Sequence, residues 1–245
     1  MGIRQDLRVI RHMVFRRGDK AATHADRMES FYNAQAQDYD EFRKRLLTGR
    51  EEMYAAVPIP QQGVWVDMGG GTGWNIENLA ASIDQIKQIH VVDLAESLLS
   101  VAQDRFRQRG WENVTTHVAD ATMFRPPEGL ADVVTFSYSL TMMPDWFKAI
   151  DNALAMLKPG GIIGVVDFYV SRKFPAPNQK KHGWFYRGFW PNWFAIDGVY
   201  PSSEHLPYLN YRFEAVDLLE AKCKIPYIPL VRSPYYRFIG RKPVN

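Results

Sequence analysis

Short apolar runs alternate with longer amphipathic stretches from about residue 24 to residue 170. The apolar runs are of strand length and lie at residues 64–66, 89–92, 114–118, 132–136 and 161–169. Stretches with helical spacing lie between them, at residues 74–83, 95–109 and 146–157. Strands joined by helix-length crossovers pair in parallel, so the pattern predicts a doubly wound α/β sheet.

Two further strands are predicted near the carboxyl terminus, at residues 224–230 and 235–241. Only residues 231–234 separate them, which is too short for a crossover. They should therefore form an antiparallel hairpin at the sheet edge.

The pattern indicates one domain, residues 23–245, preceded by a basic amphipathic segment, residues 1–22. Within the domain, residues 171–209 are rich in aromatic residues and proline, and we predict that they form a lid or insertion. Hydrophobic residues make up 46% of the 245 positions and charged residues 23%, a balance typical of a globular domain.

Cysteine content and charge narrow the function classes. The single cysteine, Cys223, excludes a disulfide framework and a thiolate metal cluster, and it fits a reducing cytosol. The formal net charge of +3 is too small by itself to indicate a nucleic-acid-binding protein. No apolar run approaches the roughly 18 residues of a membrane span. We therefore expect a cytoplasmic protein without a transmembrane segment.

A glycine-rich loop follows the first predicted strand, with the sequence Asp67-Met68-Gly69-Gly70-Gly71-Thr72-Gly73. Glycines allow positive φ and let a ligand approach the backbone where a strand feeds a helix N-terminus. Asp93 ends the next strand, where a carboxylate can accept hydrogen bonds from both hydroxyls of a ribose. The loop and this acid together predict a nucleotide-type cofactor at the carboxyl ends of the strands.

Three features separate this site from a dinucleotide site. Asp67 comes directly before the glycines, the loop spacing is Gly-x-Gly-x-Gly, and a hairpin closes the sheet. In these features residues 60–241 resemble the class I S-adenosylmethionine (SAM)-dependent methyltransferases. The resemblance implies a Rossmann-like seven-stranded sheet that binds SAM and releases S-adenosylhomocysteine.

By this resemblance the cofactor ligands come mainly from the ends of the first four strands. Asp67 and the glycines would face the methionine part, Asp93 the ribose, and Asp120 the adenine. The full implied set is Asp67, Gly69, Gly71, Gly73, Asp93, Leu94, Asp120, Ala121 and Ser137, with Tyr39 and Arg50 from the amino-terminal side.

The residues after the fourth strand, Ser137-Tyr138-Ser139-Leu140, bear on the substrate. Nucleic-acid amino-methyltransferases usually have Asn/Asp-Pro-Pro-aromatic here, so the group that grips a base amine is missing. Cys223 lies in the predicted hairpin, which disfavours a cysteine nucleophile acting on a pyrimidine carbon. Paired histidine or carboxylate ligands at helical spacing are absent, so we expect no metal.

Two zones favour contact with a membrane surface. If residues 3–17 are helical, they form an apolar stripe beside three arginines, as in a helix lying in an anionic lipid interface. Residues 172–194 combine lysine and arginine with tryptophan and tyrosine, which favour the headgroup layer. The alternatives are a docked helix with a solvated basic face and a lid whose aromatic residues pack on the core.

Several segments narrow the resemblance to one family. They lie at residues 31–43, 46–50 and 234–242, and include Trp190-Pro191-Asn192-Trp193-Phe194 and His205-Leu206-Pro207-Tyr208. These segments resemble the diacylglycerylhomoserine N-methyltransferases of betaine-lipid synthesis, over nearly the whole chain after residue 24. The resemblance implies transfer of three methyl groups, one from each SAM, to the amine of a lipid-linked homoserine. The implied partner is a lipid at an anionic surface, bound by a peripherally membrane-associated protein.

Methylation requires an unprotonated amine held at near-attack distance, and its final product is a quaternary ammonium that cannot donate hydrogen bonds. Aromatic faces suit every methylation state. The candidates for this contact are Tyr32, Tyr39, Tyr138 and Tyr169. The candidates for the substrate carboxylate are Arg43, Arg50 and Arg187. His205 is a candidate proton relay, with a buried structural histidine as the alternative.

Three other functions stay open on the sequence. A phosphatidylethanolamine N-methyltransferase of the soluble bacterial type would act on a lipid without a carboxylate beside its nitrogen. A nucleic-acid-binding protein of methyltransferase fold would stack bases on the aromatic zone, although nucleic acid is not the expected partner. A SAM-binding scaffold without catalysis is disfavoured by the intact glycine loop and Asp93.

Overall fold

The computed structural model describes residues 46–196, 198–225 and 231–244. The predicted amphipathic segment, residues 1–22, lies outside this range. The candidate site residues Tyr32, Tyr39 and Arg43 lie outside it as well.

A seven-stranded sheet forms the centre of the domain, in the order β3-β2-β1-β4-β5-β7-β6. Its strands are β1 (Val64–Met68), β2 (Gln88–Asp93), β3 (Val114–Val118), β4 (Ala131–Ser137), β5 (Leu157–Phe168), β6 (Glu214–Lys224) and β7 (Arg232–Arg241). Strands β1 to β5 pair in parallel, whereas β7 is antiparallel to both β5 and β6. The predicted Rossmann-like sheet with a carboxyl-terminal hairpin is confirmed.

Helices connect and cover these strands. The α-helices are α1 (Arg50–Ala56), α2 (Glu96–Arg109), α3 (Trp146–Met156), α4 (Trp184–Ala195) and α5 (His205–Arg212). Two 3₁₀ helices are η1 (Trp74–Gln85) and η2 (Leu140–Met142). Helix α4 lies within the aromatic segment that was predicted to form a lid or insertion. None of the helices in the described ranges is both long and apolar enough to cross a bilayer.

The first strand of the carboxyl-terminal hairpin lies earlier in the chain than its sequence suggests. The hairpin partner of β7 was expected at residues 224–230 but is Glu214–Lys224, and residues 226–230 lie outside the described ranges. Its glutamate, alanine, leucine and lysine residues favour a helix locally. Pairing with β7, from Glu214 opposite Arg241 to Lys224 opposite Arg232, overrides that preference.

Apolar layers pack on both faces of the sheet. Every residue of β1 is buried, as expected for a central parallel strand. Successive strand residues point to opposite faces. Trp65 accordingly packs in the same layer as Tyr54, whereas Val66 packs in the layer that contains Phe238. The buried sheet therefore fixes where the strand ends lie, and with them the loops that carry polar residues.

The hairpin register can be tested with two truncations. Phe238 on β7 is wholly buried, so we expect Phe238→Ala to lower the free energy of unfolding by about 3–5 kcal/mol. Val216 on β6 is 55% exposed, so Val216→Ala should change it by less than about 0.5 kcal/mol. Urea denaturation followed by circular dichroism measures both, and equal losses would contradict this arrangement.

Candidate active site

A cleft of about 200 Å³ opens at the carboxyl ends of β1, β2, β3 and β4. Strand register places these ends side by side, because Met68 pairs with both Val92 and Phe136. The order of the sheet reverses between β1 and β4, which is where α/β folds of this kind bind ligands. The residues that line the cleft include Gly69, Gly71, Asp93, Leu94, Asp120, Ala121, Tyr138, Ser139, Met142, Met143 and Asp145.

The glycine loop presents bare backbone to this cleft. Gly69 and Gly71 both have positive φ, of 69° and 54°. A Cβ on Gly69 would lie 2.4 Å from the Cβ of Ser139, so no side chain fits there. A Cβ on Gly71 would meet only Leu98 and Asp93, at 3.6 and 4.0 Å, and would fill space at the cleft wall. The loop is therefore a cradle that a ligand can approach closely.

Asp93 joins this loop to the start of α2. Its Oδ2 accepts a hydrogen bond from the Gly71 amide at 2.9 Å, and its Oδ1 accepts one from the Ala95 amide at 3.0 Å. The side chain also lines the cleft, at the strand end where a ribose-binding acid was predicted. One carboxylate thus orders the glycine loop and offers negative charge to the ligand.

The end of the cleft assigned to adenine is formed by the loop after β3, where Asp120 and Ala121 line the wall. Asp120 Oδ1 accepts from both the amide and the hydroxyl of Thr122, each at 2.8 Å. Asn152 of α3 is buried and donates to the carbonyl oxygens of Ala121 and Phe124, at 2.8 and 3.0 Å. Sequence reasoning missed Asn152, although an amide among the apolar residues of α3 was an available signal.

A second, smaller cavity continues from Gly69 to the other side of the loop. It is lined by Arg50, Gly69, Gly70, Thr72, Trp74, Asn75 and Ser137. Arg50 brings a guanidinium to this end, where it can pair with the carboxylate of an amino acid. Ser137 Oγ is buried and has no hydrogen-bond partner among the described residues. The two cavities together fit a ligand with a nucleoside at one end and an amino acid at the other, as SAM has.

Asp67 lies beneath the loop and lines neither cavity. Its Oδ1 accepts from the Tyr54 hydroxyl at 2.6 Å and from Thr135 Oγ1 at 2.8 Å. Complete burial raises the pKa of this carboxyl to about 6. Asp67 therefore supports the glycine loop from below. Tyr54 and Thr135 were missed in the sequence, because only the fold brings them to Asp67.

Gly73 packs against α2, since a Cβ there would lie 2.3 Å from the ring of Phe106. It lies outside the residues that line the cleft, so its role is to let the loop pass closely over the helix.

Of the predicted aromatic residues within the described ranges, Tyr138 lines the cleft. It has positive φ, 54°, which is rare for a bulky residue and is typical of functional sites. Its hydroxyl donates to the carbonyl oxygen of Thr48 at 2.5 Å, and burial raises its pKa well above the usual value. The phenol therefore stays neutral, and its ring packs edge-on against Phe168.

Among the described residues, three other predicted substrate residues lie outside the lining of the cleft, namely Tyr169, His205 and Arg187. Tyr169 donates its hydroxyl to Glu220 Oε1 at 2.7 Å and packs against His182. His205 is wholly buried, and its ring lies edge-on to Trp146. Burial lowers the pKa of His205 to about 3, so it is uncharged at neutral pH. This geometry gives no support to a proton relay through His205.

Arg187 lies on α4 at helical spacing from Trp190 and Phe194, which are both buried. Its Nε is shielded from solvent and lacks a hydrogen-bond partner within the described part of the chain. A buried donor without a partner costs about 1–3 kcal/mol, which a ligand acceptor would recover.

Solved structures share this fold. The YcgJ protein of Bacillus subtilis aligns with a TM-score of 0.62 at 16% identity, covering 80% of this chain and 98% of that one. Phosphoethanolamine N-methyltransferase 2 of Haemonchus contortus, in complex with phosphomonomethylethanolamine and S-adenosylhomocysteine, aligns with a TM-score of 0.65 at 15% identity. That alignment covers 91% of this chain and 61% of the other.

Curated relatives share sequence as well. A ubiquinone/menaquinone biosynthesis C-methyltransferase UbiE of Serratia proteamaculans is 27% identical over 172 residues, which is 68% of this chain and 66% of the relative. The UbiE of Pseudomonas putida is 29% identical over 150 residues, which is 59% of each protein. The chain thus spans somewhat less than two thirds of the length of these relatives.

The role of Asp93 can be measured directly. We expect Asp93→Ala to weaken SAM binding about tenfold or more, because it removes a charged acceptor from the cleft wall. Titration calorimetry measures the affinity, and thermal melting checks the fold. Asp104→Ala is a matched control, since Asp104 lies on the exposed side of α2 in an ion pair with Arg107. Unchanged affinity in Asp93→Ala would contradict the assignment.

Asp67 makes stability depend on pH. Its raised pKa means that the folded protein binds more protons than the unfolded chain between about pH 4 and pH 6. The free energy of unfolding contributed by this group therefore falls as pH rises through that window. We expect Asp67→Asn to reduce this loss of unfolding free energy by about 2–3 kcal/mol. Urea denaturation at about pH 4 and about pH 6 measures the difference. An unaltered pH profile would contradict the raised pKa.

The family model described as a methyltransferase domain matches residues 34–200, which is more than half of the chain. The cleft, the glycine cradle and the acid Asp93 all lie within the matched region. The chain belongs to the methyltransferase domain family, which confirms the predicted class, a SAM-dependent methyltransferase.

Proposed function

We propose that this chain is an N-methyltransferase that converts diacylglycerylhomoserine into the betaine lipid diacylglyceryl-trimethylhomoserine. When bound, SAM supplies an electrophilic methyl group on its sulfonium. The chain's own residues then have to hold a lipid amine in line with that methyl group and exclude competing nucleophiles. In this proposal the enzyme works at the anionic cytoplasmic surface of a membrane, as a peripheral protein.

Tyr138 carries the proposal. Tyr138 lines the cleft at the end of β4, next to Ser137, which lines the cavity on the Arg50 side. Its hydroxyl is engaged with the Thr48 carbonyl oxygen, so the residue offers an aromatic face rather than a base. An aromatic face attracts amines at every methylation state, including the quaternary product, by about 0.5–2 kcal/mol.

Arg187 supports the part of the proposal that concerns the substrate carboxylate. Its buried Nε lacks a partner in residues 46–196, 198–225 and 231–244. Trp190 and Phe194, its neighbours on the same face of α4, pack in the apolar layer that contains Tyr138. The proposal places the substrate carboxylate outside the cleft lining, on the side of α4, where it would meet this guanidinium in a charge-assisted pair. Arg50 would then serve the carboxylate of SAM, so each carboxylate has its own arginine.

A proton is lost from the substrate nitrogen between successive methyl transfers. Each methyl transfer to a primary or secondary amine gives an ammonium, which has to lose a proton before it can react again. Tyr138 is held as a hydrogen-bond donor, and His205 is buried away from the cleft lining. In the proposal the proton therefore passes to solvent through the open cleft, without a dedicated base from the described residues.

The curated relatives favour a second candidate function. Their names describe C-methylation in ubiquinone or menaquinone synthesis, so a quinone precursor is an alternative substrate. Its nucleophile would be a ring carbon, and it carries no carboxylate-bearing ammonium. Phosphatidylethanolamine is the third substrate to compare, since it has an amine without the adjacent carboxylate.

One assay separates these substrates. The purified full-length chain is incubated with SAM and detergent-dispersed diacylglycerylhomoserine, phosphatidylethanolamine or a demethylated isoprenoid quinol, and products are read by mass spectrometry. The proposal expects the homoserine lipid to gain one, two and then three methyl groups. Methylation of the quinol alone would favour the second candidate and overturn the proposal.

Arg187 provides a test of headgroup selection. We expect Arg187→Leu to raise the KM for diacylglycerylhomoserine about tenfold or more, because the pair with its carboxylate is lost. SAM affinity, measured by calorimetry, should stay unchanged, and Arg187→Lys should restore part of the loss. Arg107→Leu is a control on an exposed side chain. An unchanged KM in Arg187→Leu would remove Arg187 from the substrate site.

A further inference from the structure

One surface of the domain combines exposed aromatic rings with lysines, and it is called the docking face below. Its aromatic members are Phe174, Trp184, Phe185 and Trp193, which are 75%, 81%, 50% and 41% exposed. Its cationic members are Lys173, Lys180 and Lys181, which are also exposed. Large apolar side chains at such exposure are costly in water unless the surface has a partner.

Helix α4 divides this surface from the core. Its residues Trp190 and Phe194 are buried, whereas Trp184 and Phe185 project into solvent. On the exposed side, the ring of Phe185 stacks on Phe189, and Phe189 stacks on Trp193, with centroids 5.2 and 5.6 Å apart. The helix is thus aromatic on both sides, which a helix facing only water would not be.

The charge on this segment has one sign. Residues 171–196 contain five lysines and arginines and not a single aspartate or glutamate. Lys173 and Lys181 both lie over the ring of Phe174, at 5.4 and 5.7 Å from its centroid. Cations placed among exposed aromatic rings match a surface that has anionic groups above an apolar layer.

The segment is fixed to the edge of the sheet where the cleft opens. The amide of Tyr200 donates to the Thr141 carbonyl oxygen at 2.8 Å, which ties the chain after α4 to η2. Residues of η2 and its flanks line the cleft. At the other end, the Lys180 amide donates to Glu220 on β6 at 2.8 Å. The segment that carries the docking face is therefore fixed at one end to η2, whose residues line the cleft, and at the other end to β6.

We infer that the docking face binds the surface of an anionic lipid bilayer directly, with Trp184 and Phe185 in the headgroup layer. This inference deepens the proposed function and rests on its membrane association, because it names the residues that make the contact. Tryptophan favours the boundary between headgroups and acyl chains, and lysines pair with lipid phosphates.

Two other occupants fit the surface less well. Single-stranded nucleic acid would need free ring faces for its bases, but those of Phe185, Phe189 and Trp193 are stacked on one another. A second copy of the same face would bring together six lysines (two sets of three), and the face has no acidic member to pair with them.

The test is sedimentation of the full chain with vesicles, without SAM and without diacylglycerylhomoserine. We expect binding to phosphatidylcholine vesicles that contain phosphatidylglycerol, and weaker binding to phosphatidylcholine alone. Trp184→Ser combined with Phe185→Ser should weaken binding about tenfold or more. Vesicle binding should also weaken about tenfold or more, and depend less on salt concentration, in the triple variant Lys173→Gln, Lys180→Gln and Lys181→Gln.

A matched control keeps the result specific. Met123 and Leu130 are 79% and 42% exposed and lie between β3 and β4, so Met123→Ser combined with Leu130→Ser should bind vesicles like the parent chain. Thermal melting confirms that each variant is folded. Absence of vesicle binding by the parent chain, equal loss in the control, or tighter salt-sensitive binding to polyuridylate would overturn the inference.

The outcome is separable from that of the proposed function. Vesicle binding without methylation of diacylglycerylhomoserine would keep the docking face and overturn the substrate. Methylation of detergent-dispersed diacylglycerylhomoserine by a chain that does not bind vesicles would keep the substrate and overturn the docking face.

Discussion

The shape of the cleft depends on two carboxylates that hold the glycine loop from different sides. Asp93 accepts the Gly71 amide from the side of β2, and Asp67 lies buried beneath the loop. A Cβ on Gly70 would lie 2.9 Å from Asp67 Oδ2, so the loop packs directly on this acid. Burying Asp67 costs stability, as its raised pKa indicates, and its partners Tyr54 and Thr135 offset that cost with hydrogen bonds. The buried acid thus destabilises the domain, but it also orders the glycine loop that forms the cleft wall.

The two cavities beside the glycine loop are held in place by separate sets of hydrogen bonds. Tyr54 and Arg50 lie one turn apart on α1, so the bond from Tyr54 to Asp67 also sets the position of Arg50 relative to the loop. At the opposite end, Asn152 fixes the loop that carries Ala121. The two cavities are therefore held by different elements, and the glycine loop is the part they share.

Helix α4 relates the proposed chemistry to the proposed membrane contact. Its inner side carries Arg187 and Trp190, and its outer side carries Trp184 and Phe185. In the proposal, one helix faces both the bilayer and the core layer that contains Tyr138. The path of a lipid amine from the headgroup layer to the site is therefore short. Within this proposal, the inner side of α4 selects the substrate and its outer side selects the membrane surface. Aromatic residues suit both tasks, because their faces attract cations and their bodies tolerate an apolar boundary.

The sequence by itself determined the parallel strands, the glycine loop, Asp93 and the family. The strands and the loop follow from local periodicity and from residue types that positive φ or strand ends require, whereas the family follows from the resemblance of the motifs. Tertiary structure alone decided that β6 is Glu214–Lys224, because pairing with β7 outweighs the helix preference of its residues. It also decided that Tyr54 and Asn152 support the site, while Tyr169 anchors Glu220 outside the cleft lining. Such roles depend on contacts between residues far apart in the chain, and periodicity carries no information about which distant partner a side chain meets.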